Sequence, residues 1–142
     1  MTNREFKGER LYIDLAQYGG VTAYSTDNVG MLTAVFREYM LSGVEAVIFL
    51  HICTEYNNGS KGYKPVVVTY KELSNLIRVA EISIRKCLKR LISDGLLLRV
   101  RNVDAGAKYG YAPNVGLIQD LILKFNGLTR NTLKTDTSVS KN

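Results

Sequence analysis

The stretch EISIRKCLKRLISDGLLLRV, residues 81–100, changes its period halfway along, and that change constrains the fold more than any other feature of the chain. Up to Ser93, Ile84, Leu88, Leu91 and Ile92 recur at helical spacing. At about 100° per residue they gather on one face, with Lys86, Lys89 and Arg90 opposite. After Asp94-Gly95 the period becomes two, with Leu96, Leu98 and Val100 alternating with Leu97, Arg99 and Arg101. Gly95 suits the boundary, because glycine takes the left-handed conformation of a helix terminus without steric cost. The segment predicts a helix over 84–93, capped by Ser83, with one greasy and one cationic side, running directly into a strand.

The neighbouring segments supply helices for the greasy side to pack on. Ser42 and Glu45 stand three apart ahead of VEAVIFLHICTEY, a capping-box spacing in which each side chain satisfies a backbone donor at the other's position. This predicts an apolar, central helix over 43–56. The polar stretch 57–65 reads as a loop and 66–68 as a short strand. Thr69 and Glu72 then repeat the capping-box spacing and start a helix at Tyr70 that ends near Arg78, leaving 79–82 as a short connection.

Beyond the strand at 96–103, Asp104-Ala105-Gly106 reads as a turn. AKYGYAP reads as a returning strand with Tyr109 and Tyr111, rimmed by Arg101 and Lys108. Pro113 ends it, and VGLIQDLILKF places Val115, Ile118, Leu121, Ile122 and Phe125 along one helical stripe. Toward the N-terminus, Leu11, Ile13 and Leu15 alternate as in a strand. Met31, Leu32, Val35, Phe36, Tyr39 and Met40 recur as in a helix over 29–41. The reading is an N-terminal extension over 1–41, a central domain over 42–125 and a polar, disordered tail over 126–142.

Composition narrows the function. Nineteen Lys plus Arg against thirteen Asp plus Glu give a net charge of +6 over 142 residues. Residues 81–103 hold Arg85, Lys86, Lys89, Arg90, Arg99 and Arg101 against Glu81 and Asp94, which is +4 of that total. Basicity so concentrated favours a polyanionic partner. No apolar run is long enough to span a bilayer and MTNREFKGER lacks a signal core, so a cytoplasmic chain with no membrane partner is expected. Cys53 and Cys87 lack metal-ligand spacing and read as buried free thiols, and the lone His51 leaves no metal site or Ser/His/Asp arrangement. No carboxylate pair or phosphate-loop pattern stands out either. No enzyme, no cofactor and no small-molecule ligand is therefore expected. The nine tyrosines are scattered rather than gathered on one sheet, which favours packing over base stacking.

The stretch VTYKELSNLIRVAEISIRKCLKRLISDGLLLRV, residues 68–100, resembles winged helix-turn-helix domains, with likeness over roughly 43–112. A capped second helix, a turn, a Ser-initiated recognition helix and a glycine-leucine start to the wing follow one another at these intervals. The resemblance implies an α+β fold, a three-helix core plus β-hairpin wing; the N-terminal strand and helix and the C-terminal helix that flank it lie outside the likeness and are read from the periodicity above. It implies double-stranded DNA as partner and a transcriptional regulator as function. Lys86, Lys89 and Arg90 would face the major groove, Ser83 and Arg85 would lie at its edge, and Arg101 and Lys108 would rest on the flanking backbone or minor groove. The same segment is similar to domains of plasmid and phage replication initiators and conjugation accessory proteins, which implies an origin- or oriT-binding alternative. A winged helix serving protein contacts is a third reading. A homodimer is expected to form, if at all, through the helices that carry Met31, Val35 and Phe36, and Leu117, Leu121 and Phe125.

Overall fold

The computed structural model describes residues 8–11, 28–58, 63–101, 109–125 and 127. Along the chain these form α1 (Asn28–Phe36), α2 (Gly43–Asn57), β1 (Val66–Val67), α3 (Tyr70–Ile77), α4 (Glu81–Ser93), β2 (Leu97–Arg101), β3 (Tyr109–Pro113) and α5 (Val115–Phe125). Among the described residues the architecture is α+β, with five helices and one three-stranded antiparallel sheet in the order β1-β3-β2. No described helix is long and apolar enough to cross a membrane. All of the expected strand over 11–16 except Leu11, the turn at 104–106, Lys108 and nearly all of the expected tail lie outside the described residues. Two compact units divide the chain, Met1–Arg10 with Leu41–Val115 and Leu11–Met40 with Gly116–Asn142.

The first unit is built on α2, whose Ile48, Phe49, Ile52 and Cys53 are fully buried. Its capping box forms in full: Glu45 N–H donates to Ser42 Oγ at 3.1 Å and Ser42 N–H donates to Glu45 Oε1 at 2.8 Å. At the far end the Tyr56 hydroxyl donates to the Glu9 carbonyl at 2.6 Å and accepts from Glu9 N–H at 2.9 Å, strapping the N-terminal segment to the helix. Burial raises the Tyr56 pKa, against the lowering effect of that backbone bond. α4 packs on both α2 and α3, and β3 packs on α2.

In the sheet, Arg99 stands opposite Tyr111 and Arg101 opposite Tyr109, while β1 pairs Val66 with Tyr111. The returning strand is thus the central one, which explains why all of it except Tyr109 is buried. Gly110 is required there: a Cβ would come within 2.6 Å of Pro65 Cβ. The alternation expected from Leu96 onward does not hold. Leu96 and Leu97 are both fully buried, whereas Leu98 is 39% exposed. Leu96 belongs to the corner before the strand, its N–H donating to the Leu91 carbonyl and its carbonyl accepting from Asn114 N–H, so the strand itself begins at Leu97, and only Leu97 within it is buried.

In the second unit, α1 closes at Phe36 rather than continuing through residue 41. Glu38 N–H turns to the Val35 carbonyl at 3.0 Å, a tightened final turn. Lys124 Nζ and Glu38 Oε2 lie 3.1 Å apart, and the Arg37 guanidinium sits 5.7 Å from the Phe125 ring centre. Of the apolar stripes expected to serve a homodimer, Met31, Val35 and Leu121 are covered within the single chain, and Phe36 is exposed.

Candidate nucleic-acid interface

α3 is capped like α2, Thr69 Oγ1 accepting from Glu72 N–H at 3.0 Å and Glu72 Oε1 accepting from Thr69 N–H at 2.8 Å. Its exit is abrupt. Arg78 takes a left-handed conformation with φ 64° and ψ 49°, which a residue with a Cβ adopts at a cost of roughly 1–2 kcal/mol. Ser74 holds that bend: its carbonyl accepts from Arg78 N–H at 2.8 Å and from Val79 N–H at 3.3 Å, and its hydroxyl donates to the Val79 carbonyl at 2.6 Å. The connection between α3 and α4 is therefore only residues 78–80.

The shortness of that turn moves the start of α4. The helix begins at Glu81 with Ala80 as its N-cap, and no side chain caps it. Ser83, expected as the cap, lies half-buried within the first turn, its N–H donating to the Ala80 carbonyl at 3.0 Å. The helix ends as expected: Asp94 is its C-cap and Gly95 is left-handed, with φ 84°.

Ile84, Leu88 and Leu91 form the buried face of α4. At about 100° per residue the opposite face is centred on Ile82, Lys86, Lys89 and Ser93, with Arg85 and Arg90 on its flanks. All six of these side chains are exposed. Among the described residues, no ion pair holds Arg85, Lys86 or Lys89.

Arg90 differs from its neighbours. Its guanidinium Nη1 lies 3.4 Å from Glu45 Oε2, and its Nε lies 4.0 Å from Asp94 Oδ2. Glu45 is 4% exposed, so Arg90 supplies the countercharge of a buried carboxylate on α2. Arg90 is exposed as expected beside Lys86 and Lys89, and differs from them in that it is drawn toward a carboxylate on another helix. Beside this pair Cys87 is half-buried rather than buried. Burial and the nearby Glu45 raise its pKa, opposed by Arg90 and a hydrogen bond with Ser42. Cys53 is fully buried, and burial raises its pKa strongly.

On the hairpin, Arg101 is exposed at the end of β2. Arg99 was not singled out from the sequence, yet its guanidinium lies 4.7 Å from the Tyr109 ring centre, and both side chains are exposed on one side of the sheet. Tyr111, on the same side, is buried. Burial, the proximity of Tyr70 and a hydrogen bond to it push the Tyr111 phenol up to about 12. Ile82 also lies on α4, although the sequence places it in the connection over 79–82. The helical signal that could have found it is its spacing from Lys86 and Lys89.

No family model matches the chain, and no curated protein matches it. Among solved structures it is similar to the ST1889 protein from the thermoacidophilic archaeon Sulfolobus tokodaii, at 18% identity and a TM-score of 0.49, over 80% of this chain and 94% of that one. That protein is named by its origin only, and at this distance the likeness carries no inference about function.

Proposed function

We propose that the first unit is a winged helix-turn-helix domain and that the chain is a sequence-specific double-stranded DNA-binding protein acting as a transcriptional regulator. In this reading α3 and α4 are the helix-turn-helix, α4 is the recognition helix and β2–β3 is the wing. The observation that carries it is the outward face of α4: Arg85, Lys86 and Lys89 are exposed without an ion-pair partner among the described residues, on a helix whose other face is buried. A cationic helix free on one side fits the major groove, which admits one α-helix and offers guanine O6/N7 and phosphate as acceptors. Arg101, with Arg99 stacked on Tyr109, supplies a second cationic surface suited to the flanking backbone.

Titration of the free protein with duplex DNA over a range of salt tests this reading. Several phosphate contacts release counterions, so log K should fall against log salt with a slope of about −4 to −7. Selection from a random duplex pool should converge on a defined sequence. Absence of duplex binding, or binding with a flat salt response, would overturn the proposal.

A further inference from the structure

Ile82 is an apolar side chain at the leading end of a cationic face. It is 60% exposed on the first turn of α4, on the side away from the buried Ile84, Leu88 and Leu91. Single exposed aliphatics are common on protein surfaces and by themselves need no account. Ile82 differs through its surroundings: the residues three, four and seven positions on are Arg85, Lys86 and Lys89, all exposed. Glu81 beside it is exposed as well, so a surface that matches this face offers negative charge along Arg85, Lys86 and Lys89 and an apolar group near Ile82. The major groove does so, with phosphates along its edges and, at each thymine, a 5-methyl group projecting from its floor.

We propose that Ile82 reads a thymine, its branched side chain packing on the 5-methyl group while Lys86 and Lys89 reach base or phosphate oxygens further along. The inference rests on the DNA-binding reading and adds a base identity to it. The leading end of a helix-turn-helix recognition helix is the part that meets base edges, which is where Ile82 stands. From Ile82 to Lys86 the helix rises about 6 Å, close to two base-pair steps, so the thymine and the position met by Lys86 should lie about two steps apart. Ile82 confers no charge, so its contribution is to sequence preference and leaves the salt dependence unchanged.

The test uses the full chain and a duplex selected from a random pool. Each thymine of that duplex is replaced singly by deoxyuridine, which removes only the 5-methyl group, and affinity is measured for wild type, Ile82→Ala and Ile82→Val. One replacement should weaken wild type about fourfold, the worth of one buried methyl group. The same replacement should leave Ile82→Ala unaffected, Ile82→Val should keep much of the sensitivity, and all three chains should share one salt slope. Equal responses of wild type and Ile82→Ala at every thymine, or a selected site without thymine, would overturn the inference while leaving DNA binding intact. Failure of wild type to bind duplex DNA would overturn both.

Discussion

The Arg90 guanidinium reaches from α4 to the buried carboxylate of Glu45 at the head of α2, Nη1 to Oε2 at 3.4 Å. The other carboxylate oxygen accepts from Ser42 N–H, so a single side chain caps one helix and anchors another. A buried carboxylate that loses its countercharge is left poorly compensated. Arg90 is itself 54% exposed, so water would restore part of the loss. Arg90→Ala should therefore lower unfolding free energy by about 1–3 kcal/mol. Lys86→Ala and Lys89→Ala should stay within about 0.5 kcal/mol of wild type, as substitutions at exposed positions generally do. Urea denaturation separates these outcomes, and equal stability of all three variants would remove the structural role assigned to Arg90.

The turn between α3 and α4 depends on Ser74, whose hydroxyl donates to the Val79 carbonyl at 2.6 Å across the left-handed Arg78. Ser74→Ala removes that bond and leaves a part-buried carbonyl without it, so a loss of about 0.5–1.5 kcal/mol is expected. If Ser74→Ala matches wild type in urea, the hydroxyl does not hold the turn.

The features legible in the sequence are those set by local spacing. Ser42 with Glu45 and Thr69 with Glu72 are contacts between residues three apart, and both form as their spacing predicts. The end of α4 at Asp94 and Gly95 and the span of α5 are equally local. Apart from the early close of α1 at Phe36, which is local, the main differences depend on residues distant in the chain or on an unusual backbone. A left-handed arginine carries no compositional mark, so the sequence does not show the bend at Arg78, and its spacing points to a longer connection with Ser83 as cap where the structure has Ala80. Leu96 escaped because its carbonyl is claimed by Asn114, and Arg90 because its partner lies on α2. The outward position of Arg85, Lys86 and Lys89 was legible, since helical periodicity alone fixes it once Ile84, Leu88 and Leu91 are buried.

Tyr111 makes stability sensitive to alkaline pH. Burial, Tyr70 and the hydrogen bond between the two phenols push its pKa up to about 12, with Arg99 acting in the opposite sense. In the unfolded chain the phenol titrates near its ordinary value of about 10. Between these values the unfolded state has lost a proton that the folded state keeps, so this contribution is complete below about pH 10 and declines as pH rises toward about 12. Tyr56, also raised by burial, acts with the same sign. Urea midpoints at neutral pH and near the upper limit should show a steeper decline for wild type than for Tyr111→Phe. Parallel declines would mean that Tyr111 titrates alike in both states.

The two lysines at the centre of the outward face should separate binding from folding. Lys86 and Lys89 are exposed, whereas Leu88 between them is 2% exposed and part of the core. Leu88→Ala should cost roughly 2–5 kcal/mol of stability through the cavity it leaves. Lys86→Ala or Lys89→Ala should keep the fold and weaken duplex binding, and the manner of weakening identifies the contact. A lysine on a base edge costs about 1–3 kcal/mol on the selected site and relaxes preference at one position. A lysine on phosphate weakens all duplexes alike and makes the salt slope shallower by about one. Measuring each variant on selected and scrambled duplexes at several salt concentrations assigns a role to each residue. If both variants bind every duplex as wild type does, at every salt concentration, then the outward face of α4 does not contact DNA.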